Sequence, residues 1–292
     1  MQANSAKVVE NQRILTMKRV YRDMPAFTNK KAIADIIFKR SGLYILYERH
    51  LESEIIKYPL PNHIAIILDG NRRWAKTNLT RESTGHFAGA DKAEELLNWI
   101  HELKIRITTL YVLSTENLDR DENEVDNIYR LLQTKLEKLY EDSRIHRLQM
   151  RIKAIGNLAI LPIGLQEILC KLENVTAEYK SMFLNIAIAY GGQKEIVEAI
   201  KKIALMAKCE MLDIEKIDEK LIESFLYTSH LPQPEPDLIL RTSGEKRLSG
   251  FLIWQSAYSE LVFMDVFWPE FRKIDLMRAI RTYQHRIRKY GR

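Results

Sequence analysis

The sequence predicts an α/β protein, a single domain built on a mainly parallel six-stranded sheet flanked by helices. Three observations favour this fold class. Six short runs are rich in β-branched and aromatic residues and largely apolar, as strands buried on both faces are. Longer segments with helical periodicity separate these runs, which is typical of parallel sheets. The 292 residues contain no internal repeat and no low-complexity linker that would divide them.

The predicted strands and helices alternate from residue 63 onward. The first strand, HIAIIL, stops at an Asp-Gly-Asn turn, and the other strands are similar short runs. We expect strands at residues 63–68, 108–113, 150–156, 183–189, 238–242 and 261–266. Between most neighbouring strands, and after the last one, apolar residues recur at three- and four-residue steps, which predicts helices. We expect these helices at residues 89–103, 122–142, 164–179, 193–209, 215–227 and 275–288.

An amphipathic helix is also expected before the first strand. Apolar residues recur there at four-residue steps with Lys, Arg and Glu between them, and Pro59 and Pro61 close the segment. This helix could pack on the main domain, which we favour, or rest on a membrane surface. We therefore divide the chain into a basic amino-terminal extension, residues 1–60, and a main domain, residues 61–292. The apolar positions of the helix are Leu43, Tyr47, Leu51 and Ile55.

Composition places the chain among ordinary globular proteins. Hydrophobic residues make up 46% and charged residues 29%, which excludes disordered and fibrous classes. Cys170 and Cys209 lack metal-ligand spacing and fit a reducing cytoplasm, as small core residues or free thiols. No apolar run approaches the ~20 residues that cross a bilayer, and the amino terminus lacks the apolar core of a secretion signal. We expect a cytoplasmic protein.

The formal charge of +6 is concentrated at the two ends of the chain. Residues 1–62 carry 11 Lys and Arg against 6 Asp and Glu, residues 271–292 carry 8 against 1, and the chain between them is acidic. Basic ends suit an anionic membrane surface, a phosphorylated substrate or nucleic acid. Charge alone does not choose among these partners.

The predicted strands end in polar residues that we expect to meet. In open parallel sheets, ligands bind beyond the carboxyl ends of the strands. Four strand ends carry suitable side chains, so we expect them to converge on one edge of the sheet. They are residues 69–73, 114–117, 190–192 and 241–247.

The first strand end is predicted to bind a phosphate group and a metal ion. Gly70 lets the backbone turn closely, and a helix that begins at Asn71 would present free N–H groups, which attract phosphate. Arg72 and Arg73 add guanidinium groups whose geometry matches phosphate oxygens. Asp69 would repel a phosphate unless a divalent cation lay between them, and Mg²⁺ is typically held by carboxylates together with substrate phosphates. Further charged donors lie at Arg81 and His86.

The fifth strand end resembles a second phosphate cradle. Arg241 and Arg247 supply positive charge. Ser243 and Ser249 supply hydroxyl donors, and neighbouring glycines allow close approach of the backbone. The alternative is a basic loop that makes surface ion pairs. Two phosphate sites and one metal carboxylate together indicate an enzyme that brings two phosphorylated substrates together.

Other phosphate and hydrolytic chemistries lack their motifs. The sequence has no G-x-x-x-x-G-K-[ST] loop and no G-x-G-x-x-G after a strand. It also has no nucleophile elbow and no His-Glu-x-x-His zinc helix. His63, which precedes the first strand, is interpreted as structural.

Five blocks of the sequence resemble the cis-prenyltransferases. They are HIAIILDGNRRWA from residue 63, GHFAGADK from residue 85, LYVLSTENLDR from residue 110, NIAIAYGGQKEIVEA from residue 185, and the stretch from residue 237 to residue 271. Their order and spacing follow the family from about residue 40 to the carboxyl terminus. Within the family the chain is similar to the undecaprenyl diphosphate synthases, and its Asn-Arg-Arg form to their archaeal branch. The DDxxD motifs of trans-type prenyltransferases are absent.

The resemblance implies a reaction and its ligands. A cis-prenyltransferase condenses isopentenyl diphosphate onto an allylic prenyl diphosphate, such as farnesyl or geranylgeranyl diphosphate, and releases diphosphate at each step. The product would be a long Z,E-polyprenyl diphosphate, the precursor of a lipid carrier. The enzyme would use Mg²⁺ as its cofactor and form a homodimer, with residues 61–292 as its catalytic domain. The growing chain would lie in a tunnel between the sheet and the helices at residues 89–103 and 122–142.

The resemblance also implies roles for particular residues. Asp69 would hold Mg²⁺ against the allylic diphosphate, and Asn117 would act near the reacting ends, so these two are the predicted catalytic residues. Glu260 would be a second metal ligand. The first strand end would grip the allylic diphosphate, and the fifth the diphosphate of isopentenyl diphosphate. The predicted substrate-binding residues are Gly70, Asn71, Arg72, Arg73, Trp74, His86, Ser114, Thr115, Glu116, Arg120, Arg241, Arg247 and Ser249.

Several residues depart from the family pattern. Arg72 replaces the glycine of bacterial members, and Glu82 aligns with a family arginine. Leu113 and Leu118 stand where aromatic residues are common, so stacking on the substrate is not expected there. Gly250 stands where asparagine is usual.

Three alternatives stay open. One is a relative that makes few cis additions or uses an unusual acceptor. Another is a non-catalytic partner subunit of a prenyltransferase complex, although such subunits tend to lose phosphate-site residues that this chain keeps. The third, which we weigh lowest, is a nucleic-acid-binding protein that uses its basic ends. We expect the two diphosphate substrates, a second copy of the chain and peripheral contact with the membrane as partners, and no nucleic acid.

Overall fold

A computed structural model describes residues 43–287 of the chain. The chain divides into two units, residues 1–50 and residues 51–292. The first unit is described only from residue 43 on. The sheet and the helices that cover it belong to the second unit.

Helix α1 (Leu43–Ile55) precedes the sheet. It confirms the predicted amphipathic helix from Leu43 onward, and the earlier part of that prediction lies outside the described residues. Leu51 and Ile55, two of the predicted apolar positions, are fully buried. The carbonyl oxygen of Ile55 accepts a hydrogen bond of 2.8 Å from Nε2 of Gln284, near the end of the described chain. The last turn of α1 therefore belongs to the core of the second unit.

A six-stranded sheet forms the centre of the molecule. Its strands are β1 (His63–Ile67), β2 (Ile107–Ser114), β3 (Met150–Ile155), β4 (Met182–Tyr190), β5 (Leu238–Arg241) and β6 (Glu260–Phe263). Every neighbouring pair is parallel, and the strand order is β3-β4-β2-β1-β5-β6. The predicted six-stranded parallel sheet is confirmed. Because β4, β2, β1 and β5 are adjacent, the four polar strand ends do meet at one edge.

The helices that cover the sheet match the predicted positions, except that two differ in extent and one, Ser143–Arg147, is not among the predicted helices. They are α2 (Asn71–Thr77), α3 (Glu82–Glu102), α4 (Glu122–Glu141), α5 (Ser143–Arg147), α6 (Ile163–Thr176), α7 (Gly192–Lys208), α8 (Glu219–Phe225) and α9 (Lys273–Ile287). α3 starts before the expected Gly89, at Glu82. The helix expected at residues 215–227 is shorter, because Asp218 caps α8 by accepting a hydrogen bond from the Leu221 N–H at 2.8 Å.

A chain of polar side chains crosses the buried sheet. Nε2 of His63 lies 2.8 Å from Oγ1 of Thr109, which accepts a hydrogen bond of 3.1 Å from Asn185. Oδ1 of Asn185 lies 3.0 Å from Nε2 of His230. Burial lowers the pKa of His63 to about 4. Burial and the charge of Lys153 lower the pKa of His230 to about 4 as well, so both imidazoles are neutral at pH 7.

Two surface features bear on the sequence predictions. Cys170 and Cys209 are exposed free thiols, so their interpretation as core residues is wrong and the free-thiol alternative holds. In the part of the chain that the structure describes, no helix has the length and apolar character needed to cross a membrane.

Candidate active site

The turn after β1 brings Asp69 to the carboxyl edge of the sheet. Gly70 follows with a φ of 109°, a left-handed conformation that glycine adopts without steric cost. A Cβ atom at Gly70 would lie 2.8 Å from Cδ1 of Phe267, so the turn has no room for a side chain. α2 begins at Asn71, as the sequence predicts. The first turn of a helix therefore starts directly after the carboxylate.

Thr242 fixes the backbone of Asp69. Its Oγ1 accepts a hydrogen bond from the Asp69 N–H at 3.0 Å and donates one to the Asp69 carbonyl oxygen at 2.7 Å. Thr242 is fully buried, so water does not compete for these bonds. The sequence analysis missed this residue, whose one signal is its place beside Arg241 at a strand end.

The carboxylate of Asp69 lies between two arginines. Its Oδ2 is 2.8 Å from Nη2 of Arg241, and its Oδ1 is 3.3 Å from Nη2 of Arg73. Partial burial acts to raise the pKa of Asp69, but hydrogen bonds from Arg241 and Ser243 and the charges of both arginines outweigh it. The pKa therefore lies below its ordinary value, and Asp69 is ionised at neutral pH.

Arg73 reaches from α2 to the loop between β5 and β6. Its Nη2 donates to Oγ of Ser243 at 2.5 Å, and its Nη1 donates to the Ser243 carbonyl oxygen at 3.3 Å. The same Nη1 contacts Oε1 of Glu245 at 3.0 Å. The guanidinium lies 5.9 Å from the centre of the Phe267 ring. With 42% of its side chain exposed, Arg73 is fixed in position and still open to a ligand.

The loop between β5 and β6 holds its polar groups on a strained backbone. Ser243, Ser249 and Leu252 have φ values of 75°, 48° and 44°, in the left-handed region that costs side-chain-bearing residues about 1–3 kcal/mol each. Such strain is concentrated at ligand sites. Arg241 is nearly buried and donates to the carbonyl oxygen of Arg247 and to Oγ of Ser249, the latter at 2.8 Å. The predicted second cradle is therefore a tightly built loop.

Hydrogen bonds from Tyr111 and Gly192 hold the loop between β5 and β6 in place. The Tyr111 hydroxyl donates to the Ser249 carbonyl oxygen at 3.2 Å, and its ring stacks on Phe251 with 4.5 Å between ring centres. Burial raises the pKa of Tyr111 well above its ordinary value, so the hydroxyl stays protonated. The N–H of Gly192 donates to the Gly250 carbonyl oxygen at 2.8 Å. The sequence analysis read Tyr111 only as a strand residue and missed this role.

Glu124, in the first turn of α4, gathers three of the predicted site residues. Its Oε1 lies 2.9 Å from Nη1 of Arg120, 3.4 Å from Nε2 of His86 and 3.6 Å from Nε of Arg72. The contact with His86 lacks hydrogen-bond geometry. Burial lowers the pKa of His86, against the opposing effect of Glu124, so this imidazole is neutral at pH 7. The sequence analysis missed Glu124, although its place four residues after Arg120 predicts an ion pair.

Two departures from the family pattern contact each other. Nε of Arg72 donates to Oε2 of Glu82 at 2.9 Å, and its Nη2 lies 3.3 Å from Oε1. The acid that aligns with a family arginine therefore neutralises the arginine that stands in place of a glycine.

The end of β2 forms a capped turn. Oγ of Ser114 accepts a hydrogen bond from the Asn117 N–H at 3.2 Å, and Oδ1 of Asn117 accepts one from the Ser114 N–H at 3.3 Å. A short 3-10 helix (Thr115–Asp119) follows. The cap uses the amide oxygen of Asn117, which leaves the catalytic role of this residue a prediction.

Glu260 does not join the site. It is the first residue of β6, and the strand register places it level with Leu238 and Ile64. Ile64 lies five residues before Asp69, so the two predicted metal ligands are separated by about 16 Å along the strands. The carboxylate of Glu260 pairs instead with Arg286 at 3.1 Å. One chain therefore cannot hold a single metal ion with both Asp69 and Glu260.

Asp69 by itself fits a divalent cation. Its side chain is 27% exposed, and the contact of its Oδ1 with Arg73 is a long one, so this oxygen is open to a cation. Within residues 43–287, no group of three or more His, Cys, Asp and Glu side chains is placed to hold a metal ion. Magnesium at Asp69 would then take its other oxygen ligands from substrate phosphates and water, as it commonly does.

A cavity of about 180 Å³ lies between α3 and α4. Its wall includes His86 and the apolar side chains of Phe87, Ile128 and Leu131. These are the two helices expected to flank the product tunnel. The cavity can receive apolar atoms directly beside a predicted phosphate-binding residue.

The predicted site residues thus form three neighbouring groups at the carboxyl edge. In each group of cations, acidic side chains balance the positive charge, so the site is nearly neutral. An anionic ligand can take the place of these acidic side chains as the partner of the cations. Two such cation groups can hold two multiply charged anions near each other. The group around Asp69 consists of Gly70, Arg73, Arg241, Arg247 and Ser249. The group around Glu124 consists of Arg72, His86 and Arg120. The group at the end of β2 consists of Ser114, Thr115, Glu116 and Asn117, and the remaining predicted residues, Asn71 and Trp74, lie on α2.

Comparisons with known proteins agree with this arrangement. The family model of putative undecaprenyl diphosphate synthases matches residues 67–291. The tritrans,polycis-undecaprenyl-diphosphate synthase (geranylgeranyl-diphosphate specific) of Methanocaldococcus jannaschii is 47% identical over 265 residues, which are 90% of this chain and 95% of the relative. The protein of the same name from Pyrococcus horikoshii is 46% identical over 260 residues, or 89% and 97% of the two chains.

Two solved structures share the fold. Lavandulyl diphosphate synthase from Lavandula x intermedia, in complex with dimethylallyl diphosphate, has a TM-score of 0.75 and 34% identity, and the match covers 77% of this chain and 95% of that one. A probable undecaprenyl diphosphate synthase from Campylobacter jejuni has a TM-score of 0.64 and 29% identity, with coverage of 80% and 99%.

The sequence blocks and the sheet topology agree with these relatives. The match extends over most of the chain and includes every strand end that carries a predicted site residue. The chain is an enzyme that transfers prenyl groups, and it belongs to the undecaprenyl diphosphate synthase family of cis-prenyltransferases.

Proposed function

We propose that the enzyme condenses isopentenyl diphosphate onto an allylic prenyl diphosphate, with Mg²⁺, to give a long Z,E-polyprenyl diphosphate that serves as a lipid-carrier precursor. The observation that carries this proposal is the position of Asp69 between Arg73 and Arg241. One carboxylate there contacts Arg73, predicted to bind the allylic diphosphate, and Arg241, predicted to bind the second diphosphate. Such a site suits two diphosphates and one divalent cation.

The side chains of the site would stabilise the charge that develops in the reaction and hold the two substrates near each other. Ionisation of the allylic C–O bond leaves negative charge on the departing diphosphate, which Arg73 and the cations around Glu124 stabilise. Mg²⁺ bound at Asp69 would add Lewis-acid stabilisation of the same charge. Arg241, Arg247 and Ser249 hold the second diphosphate on a fixed loop, which reduces the entropic cost of bringing the two substrates together.

Geranylgeranyl diphosphate is the primer that we propose. The relatives from Methanocaldococcus jannaschii and Pyrococcus horikoshii carry geranylgeranyl-diphosphate specificity in their names. The wall of the cavity between α3 and α4 includes His86 and the apolar side chains of Phe87, Ile128 and Leu131, which favours the apolar chain of a primer beside the phosphate site.

A primer-and-product assay tests the proposal. The protein is incubated with Mg²⁺, labelled isopentenyl diphosphate and allylic primers of ~10 to 20 carbons, and butanol-extractable products are sized by mass spectrometry. We expect a long product, fastest with geranylgeranyl diphosphate, and no product when EDTA removes the metal. The absence of product with every primer would refute the proposal. Products with one or two added units would instead identify the short-chain alternative.

We propose a homodimer that forms through the outer face of α7. Val197 and Ile200 are 47% and 54% exposed, and Ala204 continues the same face at the next helical turn. Exposed apolar side chains grouped in this way mark interaction surfaces. Sedimentation analysis should give a dimer, and Ile200→Glu should shift it to monomer; a wild-type monomer at micromolar concentration would contradict this assignment.

We also propose the extent of the catalytic domain. Residues 61–292 are proposed as the catalytic domain, with the last turn of α1 packed against it through Glu54 and Arg281, whose charged groups are 3.2 Å apart.

A cytoplasmic enzyme with peripheral contact to the membrane through its basic amino-terminal extension fits a lipid product. Fractionation of cells that express the full chain and a chain lacking residues 1–42 would test this contact.

A further inference from the structure

Glu245 lies between the two groups of predicted phosphate-binding arginines. Its Oε1 accepts a hydrogen bond from Nη1 of Arg73 at 3.0 Å, and its Oε2 accepts one from Nη1 of Arg247 at 2.5 Å. Arg73 belongs to the site proposed for the allylic diphosphate and Arg247 to the site proposed for isopentenyl diphosphate. One carboxylate thus contacts both sites, with one oxygen on each.

The turn that carries Glu245 is held in place from the opposite side. The N–H groups of Ser243 and Gly244 donate to the carbonyl oxygens of Val266 and Met264, at 2.7 and 2.9 Å. Because the turn is fixed, the length of the glutamate side chain decides which arginines it reaches. The side chain is 29% exposed, so a ligand can approach it.

Acids and arginines alternate across the site in the order Arg241, Asp69, Arg73, Glu245, Arg247. A diphosphate that binds Arg73 or Arg247 competes with Glu245 for the N–H donors of that guanidinium. The bound diphosphate and the carboxylate would then be like charges at close range, which repel each other. This repulsion favours displacement of Glu245 from its present position when either site is filled.

We infer that Glu245 is a counter-ion shared by the two diphosphate sites and that it couples their occupancy. The first diphosphate displaces the carboxylate from one arginine, and repulsion then loosens its contact with the other arginine. Each substrate therefore strengthens binding of the other, by the same factor in both directions. The inference rests on the proposed function, because both sites must hold a diphosphate. Glu245 is on this view a positioning residue.

The solvent exposure of Arg73 and Arg247 limits the size of the coupling between the two diphosphate sites. Arg247 is 64% exposed and Arg73 42% exposed, so solvent screens their contacts with Glu245. We expect the coupling to lie at the low end of the usual range, about fivefold in affinity.

Calorimetry of isopentenyl diphosphate binding tests the inference. Titrations are run in Mg²⁺ buffer without and with saturating geranylgeranyl S-thiolodiphosphate, an allylic analogue that ionises slowly. For the wild type, the analogue should tighten isopentenyl diphosphate binding by about fivefold. For Glu245→Gln, binding without the analogue should be tighter than in the wild type, and the analogue should add little. Glu245→Asp keeps the charge but is too short to reach both arginines, so it should also lose the coupling.

Glu167→Gln, an exposed position on α6, controls for the change in net charge and should keep the wild-type coupling. Equal coupling in the wild type and in Glu245→Gln would overturn the inference, as would weaker binding by Glu245→Gln alone or no coupling in the wild type. These results are distinct from failure of the proposed function. That failure would appear as a wild-type protein that neither makes product nor binds either diphosphate, and the inference would fall with it.

Discussion

Asp69 owes its chemistry to the groups around its carboxylate. An aspartate after an apolar strand is common turn chemistry. Here Thr242 fixes its backbone on both sides, and Arg73 and Arg241 fix its two oxygens. The same carboxylate is ionised, partly exposed and next to two cation groups. These properties together, and no single one, make it a candidate for metal-assisted ionisation of a diphosphate.

Replacement of Asp69 should abolish turnover and leave the fold intact. Asp69→Asn keeps the shape and the acceptor oxygen but removes the negative charge that would hold Mg²⁺. We expect turnover to fall by at least about 100-fold, the usual scale for loss of a group that stabilises developing charge. Steady-state rates with circular dichroism as the folding check give the answer. Near-normal turnover in Asp69→Asn and Asp69→Ala would remove this residue from the metal role.

Replacement of Thr242 by valine should weaken both the fold and the site. Valine has the same shape but leaves the buried N–H and carbonyl groups of Asp69 without their hydrogen bonds to Oγ1. We expect a loss of about 1–3 kcal/mol in the free energy of unfolding, and a lower turnover number. Urea unfolding and rate measurements check this, with Thr242→Ser as the control that keeps the hydroxyl. Wild-type stability in Thr242→Val would show that these hydrogen bonds do not position Asp69.

At the scale of elements, the contact between α2 and α3 depends on a missing side chain. A Cβ atom at Gly85 would lie 2.2 Å from the carbonyl oxygen of Asn71, a backbone atom that cannot move aside freely. The predicted helix begins only at Gly89, and Gly85 by itself has a low intrinsic helix propensity. Packing against α2 overrides that local preference, because the helix can approach Asn71 closely only where α3 has no side chains.

Gly85→Ala should therefore be destabilising, against the usual trend. In an exposed helix, alanine is more favourable than glycine by about 1 kcal/mol. At Gly85 we expect a loss of about 1–3 kcal/mol, the range for overpacking, and weaker binding of the allylic substrate. Gly164→Ala in α6 is the matched control, since its Cβ would meet only the flexible end of Gln133 at 3.0 Å. Thermal unfolding of both variants decides, and equal stability of the two would contradict the packing argument.

At the scale of the whole molecule, the polar chain through the sheet makes stability depend on pH. His63 and His230 have pKa values of about 4 in the folded protein, against 6.5 for an ordinary histidine. Between these values the unfolded chain binds protons that the folded chain does not. The stability that these residues contribute is therefore complete above pH 6.5 and is lost as the pH falls toward 4.

Urea unfolding at a series of pH values should show this loss. Each histidine corresponds to a difference on the order of 3 kcal/mol between pH 7 and pH 4. His63→Gln should flatten the profile, and His101→Gln, at an exposed position in α3, should leave it unchanged. A wild-type profile that stays level from pH 7 to pH 4.5 would show that the two imidazoles are not buried as described.

Local sequence patterns predict the fold class, the strands and the strand ends that carry the candidate site residues. Hydrophobic periodicity and turn residues are local properties, and each element satisfies them within its own span. Asp69, Arg73 and Arg241 are predicted as site residues from their positions at strand ends, their side-chain chemistry and the family resemblance.

Which acids these arginines contact, and which residues hold them in place, depends on how distant segments of the chain come together in the fold. Thr242 meets Asp69 across 173 positions of sequence, and Glu245 meets Arg73 across 172. Such contacts follow from strand order and register, which no local pattern encodes. For the same reason Glu260 matched a metal-binding motif in sequence and yet begins its strand at the opposite edge of the sheet from Asp69.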